Sequence, residues 1–527
     1  MGNAATRPER VLARIWQDVL GVDRVDEDGD FFSLGGDSLL ALKVIGAAAE
    51  EGLDLTLVDL FRSPTVRGMC AALGADRAGP DDAGDLLAPE DRALVPADAE
   101  DAYPASRLQL GLIYETLLSN GDNYHTVVSR VVNRPLDADA LVRALAVVSG
   151  RHPALRTRFD LVTFSEAMQV VQWSARIPVE FADHRGLAPD VEAARYEEVM
   201  TGSLKEVFDP ESVPLVRVHA AALDEGRFRF SHAFHHSLMD GWSESIFTSE
   251  VVRAYAADLD GTPLDLGTPA PMQREHVRLE RAALRDAASR AHFDALRPHL
   301  ATEEASGEPR YRKIGFPLPH DAAAALVERS AAWGVPLKSL MLAVHAAAVA
   351  AFTGTTAPVV GVPVGGRPEV PGADLTIGLF LNYLPLRLPL DGTTWRAAAD
   401  AALAGERALL PHRRFPDSEV RRLLNRRPFD SAFNYVRFHA RHAALADGLL
   451  DPEEDMRERA DFPIRIEAID NLPSAGVRVE ITVDVAKHGD GAPEELRGSL
   501  LAAVDGLVGP PSNSVVPLGA TGNRSRA

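Results

Sequence analysis

Two short stretches concentrate the side chains that do chemistry. In HAFHHSLMDGWS, residues 232–243, His232, His235, His236 and Asp240 stand close together. A metal site is one use for such a set. The spacing argues against it. It is not HExxH, and along a strand His232 and His236 face one side while His235 faces the other. Metal ligands must converge, so no metal is expected. Acyl transfer is the other chemistry. A neutral imidazole at the end of a strand can take a proton from an amine attacking a thioester. Asp240 could hold the loop, and Gly241 would allow a tight turn. No serine or cysteine nucleophile is required, because an amine and an activated acyl group arrive with the substrates. A hydrogen-bonded pair of core histidines is the plainer use of His235 and His236.

The second stretch is LGGDSLL, residues 34–40. Gly35 and Gly36 would clear side chains from the approach to Ser38. Ser38 would begin a helix, where free N–H groups and the helix dipole favour a phosphate. Asp37 could help hold the magnesium that pyrophosphate chemistry requires. An ordinary N-cap serine has the same local pattern.

Periodicity supplies the elements that must carry these residues. Val11, Leu12, Ile15, Trp16, Val19 and Leu20 recur at helical spacing, and Gly21 ends that helix. An acidic turn, Asp26 to Asp30, leads to Phe31-Phe32. A second helix is expected from Ser38 to Gly52, and a short segment at Val58 to Phe61. Ser63-Pro64 then reads as a cap and first turn opening a last helix to Leu73. Gly74 to Asp98 is rich in Gly, Pro, Ala and Asp and reads as a linker, partly packed near Leu86-Leu87. Beyond it helices and strands alternate: strands at His125 to Val132, Arg227 to His235 and Val359 to Val364, helices at Ala138 to Ser149 and Leu337 to Phe352. The expected fold class is a multidomain chain, an all-α bundle followed by an α/β domain.

Composition narrows the function. At 527 residues the chain is long enough for two or more domains. Asp and Glu outnumber Lys and Arg by 76 to 55, for a net charge of -21. Nucleic acid is therefore not an expected partner, since phosphate binding needs a basic face. The single cysteine, Cys70, leaves no disulfide framework and fits a reducing, cytoplasmic setting. MGNAATRPER lacks the apolar run of a signal peptide. The longest apolar stretch, Leu340 to Phe352, falls short of the ~20 residues of a membrane span, so no membrane association is expected.

Longer matches surround both stretches. DFFSLGGDSLLALKVI, residues 30–45, makes the segment from Val11 to Leu73 resemble a peptidyl carrier domain of the acyl-carrier type. The resemblance implies a four-helix bundle whose Ser38 receives 4'-phosphopantetheine from a phosphopantetheinyl transferase. HHSLMDGWS, 235–243, is similar to the active-site motif of nonribosomal peptide synthetase condensation domains and the chloramphenicol acetyltransferase-like superfamily. YPASRLQLGLIYE (103–115, with Gln109), GRHPALRTRF (150–159), GRP (366–368) and TIGLFLNYLPLR (376–387) resemble further blocks of that family in order. HRRFP (412–416) and FDSAFNY (429–435) match more loosely. The implied domains are a carrier at 7–74, a linker at 75–98, two α/β lobes at 99–270 and 271–512 forming a V around a tunnel, and a disordered tail at 513–527. The resemblance makes His236 catalytic, with His235, Asp240 and Gly241 completing the motif and Asn434 a candidate to polarise the reacting carbonyl. It makes Arg387 the ion-pair partner of Asp240, and Arg151, Arg156 and Trp242 structural neighbours.

The activity this implies is amide formation between carrier-bound thioesters, in antibiotic or siderophore biosynthesis. The expected partners are an adenylation domain that loads the carrier, a downstream acceptor carrier and aminoacyl or peptidyl thioesters, in a monomeric piece of a larger synthetase. An epimerisation domain shares HHxxxDG but usually has Trp-Phe-Thr where this chain has Leu379-Phe380-Leu381, and Gly-His-Gly-Arg-Glu near Gly365-Gly366-Arg367. A heterocyclising domain would carry aspartates in place of the histidine pair. A catalytically idle docking module often loses the motif, which is intact here. An α-amino group with a pKa near 8 is about a tenth neutral at pH 7. Positioning two reactants, worth ~7–11 kcal/mol, is therefore expected to outweigh a base worth ~10²–10⁴-fold.

Overall fold

Aromatic residues spaced for burial organise the first seventy positions. A computed structural model of the chain describes residues 7–36, 38–73, 86–118, 124–270, 273–300, 309–429, 431–436, 447–458, 462–470, 476–509 and 516. Helices α1 (Arg7–Leu20), α2 (Ser38–Glu50), α3 (Leu57–Arg62) and α4 (Val66–Ala71) close around Trp16 and Phe31, whose rings meet edge-on at 4.9 Å. Gly21 ends α1 at φ +66, where a side chain would be strained. The last helix starts later than Ser63-Pro64 suggests. Thr65 is its cap, its hydroxyl accepting from Gly68 N–H at 3.0 Å, while Ser63 closes α3. The carbonyl of Pro64 is taken by the N–H of Phe31 at 2.8 Å, which ties the turn back to the bundle instead of starting a helix. Leu86 packs on Tyr103, Val171 and Val277; 74–85 lie outside the described residues.

The first α/β lobe runs β1 (Ala99–Pro104), α5 (Arg107–Leu118), β2 (His125–Val132), α6 (Ala138–Arg151), β3 (Thr157–Asp160), β4 (Met168–Gln172), β5 (Val179–Asp183), α7 (Pro189–Lys205), β6 (Val216–Ala222), β7 (Phe228–His235) and α8 (Gly241–Asp260). The second runs α9 (Gln273–Arg285), α10 (Ala287–Asp294), β8 (Tyr311–Pro317), α11 (His320–Trp333), α12 (Leu337–Thr353), β9 (Val359–Gly365), β10 (Leu381–Arg387), α13 (Trp395–Leu409) and α14 (Asp417–Leu424). It continues through β11 (Ser431–Val436), β12 (Asp455–Glu458), β13 (Ile464–Asp470), β14 (Val477–Asp484), α15 (Val485–His488) and α16 (Ala492–Val508).

Among the described residues the strands form three sheets. They are β1-β4-β3, β12-β2-β7-β6-β5 and β10-β9-β11-β13-β14-β8. The apolar α12 is buried almost throughout, between the six-stranded sheet and its neighbours α13 and α16. No single described helix is long and apolar enough to cross a membrane. The chain does not divide cleanly at residue 271. After β11 it crosses back: Leu449 and Leu450 enter the first lobe's core, and β12 pairs with β2, Met456 opposite Val128. This covers an edge of the first lobe's sheet that would otherwise leave backbone groups unpaired. Tyr196 holds the crossing strand through its hydroxyl on Asp455 at 2.7 Å.

Candidate functional site

The strand and the loop after it separate the histidines by burial. Along β7 and the turn to α8, residues 231–235 and 237–240 are buried, whereas His236 is half-buried. His236 lines a cavity of about 920 Å³ walled by both lobes, with Gly241, Tyr124 and Leu379 beside it and Asn434 and Glu458 also in the lining. Its backbone N–H donates to Tyr124 O at 2.8 Å, fixing the loop while leaving the ring to the cavity. His235 turns the other way. Its Nδ1 accepts from the Ser237 N–H (3.2 Å) and lies 2.7 Å from the Ser237 hydroxyl, and its Nε2 meets Thr116 Oγ1 at 2.9 Å. Thr116 Oγ1 gives its own hydrogen to Leu112 O, so Nε2 is the protonated nitrogen and the ring is neutral. Burial drives the His235 pKa down to about 3, with His125 and His236 adding to it.

Asp240 is the N-cap of α8. One oxygen accepts from Ser243 N–H at 2.9 Å and from Arg367 at 3.2 Å; the other accepts from Phe380 N–H at 3.0 Å. The partner is thus Arg367, from the GRP block, and not Arg387. Arg387 stands at the far end of β10, opposite Val359. It lies seven residues past Phe380, roughly 23 Å along an extended chain. Arg367 is buried, donates to Ala373 O, Thr376 O and Ser243 Oγ, and lies over the Phe380 ring at 4.5 Å. It therefore fastens the second lobe's loop to the start of α8. Trp242 adds a bond from its indole N–H to Asp374 O at 3.0 Å. Gln109 supports the same turn from behind, donating to Ser237 O at 3.2 Å.

Asn434, on β11, faces the cavity and donates one amide hydrogen to Glu467 at 3.1 Å. Arg465 bridges Glu467 and Glu458, so a charged group lines the same cavity as His236. Burial would raise the Glu458 carboxyl, but Arg465 and His236 outweigh it and hold it below the ordinary range. Arg151 and Arg156 lie away from the cavity. Arg151 pairs with Glu250 and caps the carbonyls of Leu266 and Gly267; Arg156 holds Ser149 O, Gln172 O and Glu100. The motifs missed the Glu458–Arg465–Glu467 wall and left Arg367 without a role. The arginine of GRP was a visible signal; the wall had none, because strand β12 reaches it only by crossing lobes.

Ser38 is the first residue of the thirteen-residue helix α2, a position suited to a phosphate. Asp37 lies outside the described residues. The two glycines before them have a different reason from an open approach. Gly35 adopts φ +95, and a Cβ on Gly36 would lie 2.3 Å from Cε1 of Phe31. They let the chain turn tightly over the Phe31 ring and deliver Ser38 to the helix start. A phosphodiester on Ser38 fits this helix terminus.

Comparison with known proteins adds to this geometry. Residues 99–475 match the family model described as condensation domain, and 10–73 match that of a phosphopantetheine attachment site. The chain is 34% identical to the AMB antimetabolite synthetase AmbE of Pseudomonas aeruginosa, across 96% of this chain and 25% of that protein. It is 26% identical to tyrocidine synthase 3 of Brevibacillus parabrevis, across 90% of this chain and 7% of that one. It thus spans a quarter or less of these curated relatives. Its fold is similar to the first condensation domain of the calcium-dependent antibiotic synthetase (TM-score 0.66, 21% identity, 79% of this chain and 98% of that one). It is similar also to the condensation domain of the monacolin K polyketide synthase MokA (TM-score 0.67, 18% identity, 80% of this chain and 100% of that one).

Proposed function

We propose, for a chain that belongs to the condensation-domain family of nonribosomal peptide synthetases and carries a phosphopantetheine-attachment domain ahead of it, that the carrier presents a donor aminoacyl or peptidyl thioester at His236. There the condensation domain joins it to the amine of an acceptor on a downstream carrier. The observation that supports this most is the half-buried His236 on the wall of an interlobe cavity of about 920 Å³. The cavity has room for two reactants, and its neighbours hold the backbone of His236 while leaving its ring to the reaction.

Phosphopantetheine on Ser38 would supply a long arm and a thioester. The remaining work belongs to the chain's side chains. His236 accepts a hydrogen bond from the attacking amine and orients its lone pair toward the acyl carbon. The new C–N bond forms as the C–S bond breaks, and the proton leaving nitrogen ends on the departing sulfur. Asn434 has a second amide hydrogen, and it is offered to the acyl oxygen. Asp240 and Arg367 keep the turn that carries His236 in register with Leu379 and Phe380. Arg151, Arg156, Trp242 and His235 act through the fold, and Arg387 has no part in this clamp.

A phosphopantetheinyl transferase and an adenylation domain would charge the carrier. The test is direct: load Ser38 with a defined peptidyl thioester, supply aminoacyl carriers, and read products by mass spectrometry. An elongated peptide is expected. A donor that changes only its stereochemistry would replace this reading with epimerisation. Treatment of the chain with the transferase and coenzyme A should add one arm, and Ser38→Ala should add none. An arm that persists on Ser38→Ala would move the attachment site elsewhere.

A further inference from the structure

The carrier does not stand free of the condensation domain. Its turn before Ser38 and its helix after Ser38 both touch the second lobe. Ahead of Ser38, a Cβ on Gly334 would lie 3.5 Å from Ser33 Oγ, and Arg407 sits 5.9 Å from the Phe32 ring centroid. After it, Lys43 forms an ion pair with Asp374 at 3.5 Å, and Gly46 packs on Val370 and Pro371, where a Cβ would come within 3.5 Å of Pro371 Cα. Helix α3 meets α13 and the turn beyond it, and Leu410 of that turn packs against the carrier's own core. These contacts bracket Ser38 in sequence, so its end of the bundle is turned toward the condensation domain. Lys43 is the only basic residue of α2, in a chain of net charge -21.

The receiving loop is the one that Arg367 and Trp242 hold. Arg367 binds Ala373 O and Thr376 O, Trp242 binds Asp374 O, and Thr376 Oγ1 donates to Ala270 O at 2.9 Å. Asp374 therefore offers its carboxylate to the carrier while its carbonyl is tied to the residue after Gly241, which lines the His236 cavity. We infer that loop 368–376, with Leu410 and Arg407 beside it, is the seat on which this chain's carrier docks to deliver the donor, and that the Lys43–Asp374 pair sets its register. A loop braced in advance loses little freedom when a partner lands on it. The inference rests on the condensation reading of the cavity for its word "donor"; the seat itself rests on the contacts.

Two measurements on the full chain test it. The first needs no activity: a carbodiimide joins amines to carboxylates already in contact, and peptide mass spectrometry should find Lys43 linked to Asp374. The second compares single turnover from a carrier-borne donor with turnover from the same acyl group on a free small-molecule thioester. Both use protein whose arm loading has been equalised by intact mass. Lys43→Glu places like charges together and should slow the carrier-borne reaction about tenfold, since like-charge juxtaposition weakens an interface strongly. It should leave the free-thioester reaction unchanged. Asp374→Lys should behave the same way, and the double exchange Lys43→Glu/Asp374→Lys should recover most of the loss. Absence of the cross-link, or equal slowing of both reactions without recovery in the double exchange, overturns the seat. A cross-link in a protein that forms no amide from either donor leaves the seat standing and removes the condensation reading.

Discussion

His235 and His236 are adjacent and identical in chemistry, yet the structure gives them opposite surroundings. Both nitrogens of His235 are occupied by Ser237 and Thr116, while His236 meets the cavity. If positioning dominates, His236→Ala should slow amide formation strongly, and raising the pH should restore only part of the rate. A pH–rate series under single turnover with pre-loaded carriers checks this. Full recovery near pH 9 would show that proton removal, at a pKa near 8 for the amine, was the whole task. His235→Ala should act through stability, lowering the melting temperature. Asp240 belongs at the same scale. Asp240→Asn leaves the buried Arg367 cation without its counter-charge, and breaking such a pair costs ~3–5 kcal/mol. Thermal melting should fall together with turnover, and Arg367→Met in the same chain should return part of the lost stability. Turnover abolished at unchanged melting would instead make Asp240 directly catalytic.

At the scale of elements, the turn from Phe31 to Ser38 shows how a motif can be recognised for the wrong physical reason. Gly36 is packed edge-on by the Phe31 ring, not left open for a ligand. Gly36→Ala should therefore destabilise the carrier by ~1–3 kcal/mol, the usual cost of overpacking a core. Arm transfer to the untouched Ser38 should weaken with it, which intact mass after transferase treatment would show. Unchanged loading and melting would mean that the turn relaxes around the added methyl. Strand β12 is the second lesson at this scale. It leaves its own lobe to complete the first lobe's sheet, and so carries Glu458 into the lining of the cavity that His236 shares.

At the scale of the whole molecule, buried titratable groups set a pH window. Burial pulls the pKa values of His235, His276 and His345 down to about 3, 4 and 3, whereas it pushes Glu280 up to about 7. Unfolded, the histidines bind protons below about pH 6.5 that the folded chain refuses, so stability is lost as pH falls from there toward their folded values. Glu280 works oppositely, since the folded chain holds a proton that the unfolded chain releases above about pH 4.5. Near pH 5 the balance is two more protons on the unfolded chain, or about 3 kcal/mol of stability lost per pH unit from these four groups. The condensation domain's melting temperature should drop steeply from pH 6.5 to pH 5 and change little from pH 7.5 to pH 8.5. A flat profile across pH 5 to 6.5 would show that these histidines are reached by water.

The sequence by itself determined the order of domains, the first two carrier helices, the ends of β2, β7 and α12 to within a residue or two, and the spacing of the HHxxxDG and GGDS stretches. These are local properties: helical and strand periods, glycines at stops, and residue types a few positions apart. Only the tertiary structure decided that Asp240 pairs with Arg367 and not Arg387, because both arginines stand in equally plausible blocks and only the strand register puts Arg387 seven residues, roughly 23 Å of extended chain, beyond the Phe380 that Asp240 also binds. Only it placed Glu458 and Arg465 in the cavity of His236, since that group forms when β12 pairs with a strand more than three hundred residues earlier. The seating of α2 against Asp374 was likewise beyond any motif. A contact between two folded surfaces depends on shape and charge that exist only after each has folded.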